Sequence, residues 1–387
     1  MSVENQLLTH RPTTEPRQAE PSDATLAGSS RIPSLDGLRA VSVMMVMVFH
    51  AFSGGAYPRV ITAAVGVIGD GGLGVFTFYI ISGFLITTLL LREERRSGRI
   101  RLTHFYVRRA FRILPAYYVF LLGVGLLTLC GRVIVNPKEI LQCATFTRMY
   151  FFGSRSDYLG HTWSLCAEEH FYLIWPAMLV LATRRSTILF GLVVIVLGPF
   201  VRWYELTPSH GALHRMAYIF GWASFDILMM GSLPAIFWSS PKFKSLLSRA
   251  FRFRMHLALP VAALIIDSPL LNAGAEPRII QAIASTVRGL AAAIVVFYCV
   301  THHRGAVGRI LDVGWIKKIG LISFSVYLWQ QIFLLRLLPR HVVNSNVAVN
   351  FAIVMAIGFA SYYFIELPFL RLRVSLLRDA LPSGPAI

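Results

Sequence analysis

The sequence predicts an all-α polytopic membrane protein of about ten transmembrane helices with both termini cytoplasmic. Three observations carry that expectation. Of 387 residues, 55% are hydrophobic and 14% charged, against about 25% charged in a soluble domain. The apolar residues gather in runs, most of them near the ~20 residues a helix needs to cross the hydrocarbon core. The lysines and arginines collect in alternate segments between those runs, which is how insertion fixes orientation.

Residues 1–30 are polar, rich in Thr, Ser, Pro and Glu, and contain no apolar signal core. They read as a disordered cytoplasmic tail and not as a cleaved leader. The membrane domain follows over 31–370, and 371–387 reads as a second cytoplasmic tail. Its ten expected spans are 38–56, 73–91, 113–131, 163–182, 187–203, 217–238, 255–271, 281–301, 316–338 and 346–366. The interrupted apolar stretch 140–152 reads as an interfacial helix. With the N-terminus inside, twenty-five lysines and arginines fall in inner segments and nine in outer loops. The net charge of +18 is thereby assigned to topology and not to nucleic acid. The chain is expected to have the lipid bilayer as a partner, in a bacterial inner membrane. The four cysteines lack metal-ligand spacing, so no metal is expected. Cys166 and Cys299 lie in apolar runs as packing residues. Cys130 and Cys143 flank an outer loop, where a disulfide is an option without support.

Span one opens Ser34-Leu35-Asp36-Gly37-Leu38-Arg39 and contains His50. Asp36 and Arg39 are i,i+3 neighbours able to pair at the inner interface. Arg39 and His50 are eleven residues, about three turns and roughly 16 Å, apart on one face. The face thus links an inner ionic pair to a titratable group in the outer half. His50 can be a functional base or a buried histidine bonded to the next helix. The cost of ionisable groups inside a membrane favours function.

In span two, Ser82-Gly83 reads as a site of close helix approach more than as a nucleophile. Between spans two and three lie eight arginines. Arg108, Arg109 and Arg112, at spacings of three and four, fall on nearly one face. Guanidinium forks match phosphate oxygens bidentately, although some of the eight serve only as inner-side anchors. Span four carries Trp163, Glu168, Glu169 and Tyr172, and span nine carries Gln330. Counted from the outer surface, His50, Glu168, Glu169 and Gln330 could share one layer. A carboxylate beside an imidazole would orient it for general-base work, or the groups could simply brace helices. Asp226 and Arg288 lie at similar depths and are expected to pair. Glu366, at the inner end of span ten, could face Arg39 or the arginine cluster.

Six segments in this order resemble the acyltransferase-3 family of integral membrane acyltransferases, over about 33–370. They are Ser34-to-Ala40 with His50, Phe78-to-Thr87, Arg108-to-Pro115, Trp163-to-Tyr172, Ser323-to-Trp329 and Ser361-to-Phe369. The resemblance implies a ten-span core that moves acyl groups, often acetyl, from acyl-CoA to hydroxyls. Acceptors in the family include lipopolysaccharide, exopolysaccharide, nodulation factors and some macrolides. It implies no bound cofactor, with acyl-CoA as donor substrate and a carbohydrate acceptor. It implies essential roles for His50, Arg109, Arg112 and Glu168 or Glu169. Arg39 and Arg108 are expected to join the acyl-CoA site, with Asp36, Ser82, Trp163, Tyr172, Gln330 and Glu366 in support. Three positions depart: Gln330 stands where many relatives have histidine, His170 where many have glutamine, and Leu367 where a basic residue is frequent. Some relatives carry a C-terminal hydrolase-like domain, and none is expected here. Two other readings stay open on the residues alone: a transporter using the buried charges as a proton relay, and a non-catalytic scaffold.

Overall fold

A computed structural model describes residues 32, 34–53, 70–151, 156–206, 224–252, 278–335 and 346–379. These are helical throughout, with no strand among the described residues. The helices are α1 (Leu35–Ser53), α2 (Gly71–Ser97), α3 (Leu102–Leu129), α4 (Pro137–Ala144), α5 (Thr162–Leu181), α6 (Arg184–Glu205) and α7 (Phe225–Phe237). They continue as α8 (Pro241–Arg252), α9 (Arg278–Thr301), α10 (Ala306–Leu311), α11 (Gly314–Leu334), α12 (Val347–Ser361) and α13 (Leu367–Asp379). A π-helical turn, Tyr362–Glu366, joins the last two.

Six stretches among the described residues are long and apolar enough to cross a membrane: α1, α2, α3, α6, α9 and the continuous α12–α13 segment. The protein is therefore a multi-pass membrane protein. α5 and α11, with 20 and 21 residues, have the length but carry Glu168, Glu169, Gln330 and Gln331. α7 is apolar but has 13 residues. The expected span 255–271 and the start of 217–238 lie outside the described residues. The expected interfacial helix at 140–152 resolves into α4 and a 3-10 turn at Arg148–Tyr150. Leu189, Leu192, Val196 and Phe200 of α6 and Leu122 and Leu126 of α3 are exposed, as a lipid-facing surface requires.

Helix ends follow local chemistry. Asp70 caps α2 by accepting from the Leu73 N–H at 3.0 Å, and Gly98 ends it in the left-handed region at φ 72°. A glycine takes that conformation without Cβ strain. Thr183, Asn136 and Asn346 cap α6, α4 and α12 with their side chains.

α2 is the central helix and packs on α1, α7 and α9; α11 packs on α1 and α12. Small residues set these distances. A Cβ on Gly83 would overlap the Leu228 carbonyl, and one on Gly231 the Ile80 carbonyl. The expected role of Ser82-Gly83 in close approach is therefore seen, with α7 as the neighbour.

Asp226 does not pair with Arg288. Arg202 holds it through two bonds of 3.0 and 2.8 Å, and Arg288 pairs with Asp70. The reason is helix proximity: α6 passes so near Asp226 that a Cβ on Gly198 would strike its carboxylate. Arg202, one turn beyond Gly198, then reaches the acid first. All four cysteines are free, with Cys130 exposed and the others buried.

Replacing Gly83 with leucine should lower stability by at least the ~1–3 kcal/mol typical of overpacking, because backbone must move. Gly125 has nothing within 4 Å of an added Cβ. Gly125→Ala should leave the thermal midpoint in detergent unchanged or higher, and that contrast is the measurement.

Candidate active site: an arginine–carboxylate cavity beneath a histidine layer

Five helices each turn one face toward a cavity of about 80 Å³. α1 gives Arg39. α2 gives Val75, Phe78, Tyr79 and Ser82, the i, i+3, i+4, i+7 stripe of one helical face. α3 gives Arg109, Arg112 and Ile113. α5 gives Ser164, Leu165, Glu168, Glu169 and Tyr172, and α11 gives Ser323, Phe324 and Tyr327.

The charges inside are arranged unequally. Arg39 pairs with Asp36 at 3.6 Å, as its spacing predicts. Glu168 lines the cavity beside Ser82 and Tyr172, and the Tyr172 hydroxyl donates to Ser82 Oγ at 3.1 Å. The Arg109 guanidinium sits 4.6 Å over the Tyr172 ring and 5.9 Å from that of Phe105. Neither Arg109 nor Arg112 has a carboxylate within 4.0 Å among the described residues. Two guanidinium groups therefore reach the cavity without a direct counter-ion. Arg108 departs from its expected place: it turns away and binds Glu93 at 3.0 Å. Spacing alone would allow it to join Arg109 and Arg112, since 108 and 112 are i,i+4 neighbours, but the Glu93 carboxylate holds it outside the cavity lining.

Glu366 approaches the cluster from the π-helical turn. It is buried, hydrogen-bonded to Ser325, and within electrostatic range of Arg112. It makes no ion pair within 4.0 Å with an arginine among the described residues. Trp163 contributes packing, its ring edge-to-face with Tyr79 at 6.4 Å.

His50 is not among the cavity's lining residues. Its Nδ1 lies 2.8 Å from Gln330 Oε1, and Gln330 is fully buried. The expected layer thus holds His50 and Gln330 but not the carboxylates. Glu168 and Glu169 lie about two turns further along α5, roughly 10 Å, among the arginines. The residue of this segment at the level of His50 is His161, just before α5, within electrostatic range of His50. The sequence reading passed over His161 because it sits in the loop at a helix start. Its signal was position: it stands two residues before the Trp163-to-Tyr172 segment.

His161 is 3% exposed and fixed by Gln331, whose Oε1 accepts from its backbone N–H at 2.8 Å and contacts Nδ1 at 2.6 Å. Ser164 and Tyr327 connect this layer to the cavity. Their hydroxyls are 2.6 Å apart, and Tyr327 donates to the His161 carbonyl at 3.2 Å. A buried ion pair supports the same corner. Arg148 binds Glu139 at 2.5 Å and donates to Thr162 Oγ1 at 3.2 Å. Both Arg148 and Arg202, counted among outer-loop charges from sequence, are buried. No group of three or more metal-binding side chains occurs among the described residues.

Fold and site define a polytopic membrane protein with a cationic cavity and a histidine layer set along one helix. The sequence model of the acyltransferase domain matches residues 32–366, and the chain belongs to that family, acyltransferase-3. A Staphylococcus aureus (strain COL) protein named "Putative O-acetyltransferase SACOL0978" is 27% identical, over 87% of this chain and 57% of its own length. The Bacillus subtilis (strain 168) protein named "Putative peptidoglycan O-acetyltransferase YrhL" is 26% identical, over 87% of this chain and 54% of its own length. The O-acetyltransferase OatA of S. aureus (strain NCTC 8325 / PS 47) is 25% identical, over 87% of this chain and 57% of its own length. The chain thus spans a little over half the length of the curated relatives it matches. No solved structure matches it.

Arg148→Met should cost about 3–5 kcal/mol, because Glu139 is left buried and unpaired. Adding Glu139→Leu should restore much of that loss, read as the thermal midpoint in detergent.

Proposed function

We propose that this protein is an acyl-CoA-dependent O-acyltransferase of a bacterial inner membrane, with both termini cytoplasmic. It moves an acyl group, acetyl by analogy with the names of its relatives, to a hydroxyl of a cell-envelope glycan. The observation that carries this reading is the pair Arg109 and Arg112, which line the cavity with no carboxylate within 4.0 Å of either guanidinium among the described residues. Guanidinium forks in that state suit a phosphate-bearing donor. Arg39 sits in the same cavity and is eleven residues from His50 along α1.

In this mechanism the donor's phosphates rest on Arg109 and Arg112, and its acyl arm follows the Arg39–His50 face of α1. His50 takes the proton of the acceptor hydroxyl as the oxygen attacks the thioester carbonyl. The C–S bond breaks, and His50 returns the proton to the departing thiolate. Positioned proton transfer of this kind contributes typically 10²–10⁴-fold. Gln330 orients the imidazole through its Nδ1 contact. Glu168 and Glu169 act on the arginines, balancing their charge so that the empty cavity is stable. The acceptor class follows the printed names of the relatives, one of which specifies peptidoglycan.

Purified protein with acetyl-CoA and envelope glycan should release free thiol, and His50→Ala should reduce turnover by about 10²–10⁴-fold with an unchanged thermal midpoint. Arg109→Lys or Arg112→Lys should raise the KM for acetyl-CoA about tenfold or more, since a charged hydrogen bond is worth ~1.5–3 kcal/mol. Thiol release that persists undiminished in His50→Ala would remove His50 from the mechanism. Proton-coupled solute flux without thiol release would replace the enzyme by a transporter.

A further inference from the structure

His161 is buried to 3% exposure, and its Nε2 has no hydrogen-bond partner among the described residues. Its tautomer is determined by its neighbour. Gln331 Oε1 accepts from the His161 backbone N–H at 2.8 Å, which fixes the amide with its oxygen toward His161. An amide oxygen only accepts, so Nδ1, 2.6 Å away, must carry a proton. The neutral ring then holds its lone pair on Nε2. Gly160 keeps the lock tight, since a Cβ there would strike the Gln331 amide. A bare ring nitrogen in a buried place is expensive unless something is to be bound or deprotonated there.

The neighbourhood identifies the proton source. His50 is within electrostatic range. Gln330 Nε2, on the side chain that holds His50, is also without a partner. Two unsatisfied polar atoms, an acceptor on His161 and a donor on Gln330, therefore occur in the layer that contains His50. A hydroxyl can satisfy both, donating to the imidazole and accepting from the amide. The cavity is one step away, because Tyr327, whose ring is 5.4 Å from that of His161, also lines it.

We infer that His161 is a second catalytic base, which binds the acceptor hydroxyl through Nε2 and removes its proton, with Gln330 Nε2 donating to the same oxygen. This rests on the acyl-transfer reading. The hydroxyl oxygen forms the new C–O bond to the acyl carbon, and the proton passes to His161 Nε2. The C–S bond breaks as that proton passes from the His161 imidazolium to neutral His50 and from His50 to the departing thiolate, so that both rings end neutral. The net change is one ester and one thiol per thioester and alcohol.

The test uses full-length wild type and His161→Asn in detergent, with acetyl-CoA and envelope glycan. Asparagine places an N–H near the position of Nδ1, so the bond to Gln331 survives while the base is lost. The expected result is a fall in kcat of about 10²–10⁴-fold, with the thermal midpoint and the KM for acetyl-CoA nearly unchanged. A second variant, Gln331→Glu, sets a carboxylate on Nδ1 and should move the acid limb of the kcat/KM profile to higher pH. A His161→Asn enzyme with near wild-type kcat and an unmoved pH profile would make His161 structural. If His161→Asn fails to fold, the Gln331→Glu profile decides: an unmoved acid limb overturns the inference. Wild type that releases no thiol sinks the acyl-transfer reading itself, whereas active wild type with active His161→Asn sinks only the second base.

Discussion

A carboxylate or guanidinium carried below a membrane surface has no water to solvate it, and the placement of these helices follows from the need to supply a substitute. α6 lies against α7 where Arg202 can grip Asp226, and α9 meets the start of α2 where Arg288 meets Asp70. Glycines at the crossings allow these approaches, and lipid-facing α6 keeps its apolar side outward. Arg109 and Arg112 stand apart from this pattern: they line a cavity with Glu168 and Glu169, yet neither has a carboxylate within 4.0 Å among the described residues. Glu168 and Glu169, lining the same cavity, offset part of the cost of that arrangement, and an anion in the space would offset more.

The site has two levels. The lower one is electrostatic, with arginines, carboxylates and the Tyr172 ring. The upper one is made of imidazoles, each held by its own glutamine, His50 by Gln330 and His161 by Gln331. Ser164 and Tyr327 form the partition. An amide orients a ring without lending it charge. A carboxylate in the same position would have favoured the imidazolium.

Much of this was legible in the sequence where it depended on one helix. The Asp36–Arg39 pair and the common face of Arg39 and His50 follow from helical spacing alone, as does the shared face of Arg109 and Arg112, although the same spacing also set Arg108 beside them, where the structure turns it to Glu93. Readings that needed the depth of one helix against another were less secure. Glu168 and Glu169 were set two turns too far outward, because their depth was counted from an assumed membrane edge. Asp226 was matched to Arg288 by depth, although lateral neighbourhood decided its partner. Arg148 looked like an ordinary outer-loop charge because nothing local reveals that Glu139 folds back onto it. His161 offered only its position for the same reason: its Gln331 partner is 170 residues away.

Between Ala40 and Phe49, α1 contains neither glycine nor proline, so its two functional ends are joined by an uninterrupted strut. Each residue of an α-helix adds 1.5 Å and turns it ~100°. One residue gained or lost there would swing His50 about a quarter-turn away from Gln330, even though its depth would hardly change. The interval is therefore fixed in angle more strictly than in length. A lineage that altered the reach of this site would have to do so by tilting or sliding neighbouring helices, and the number of residues between Arg39 and His50 would remain constant while the sequence around them drifted.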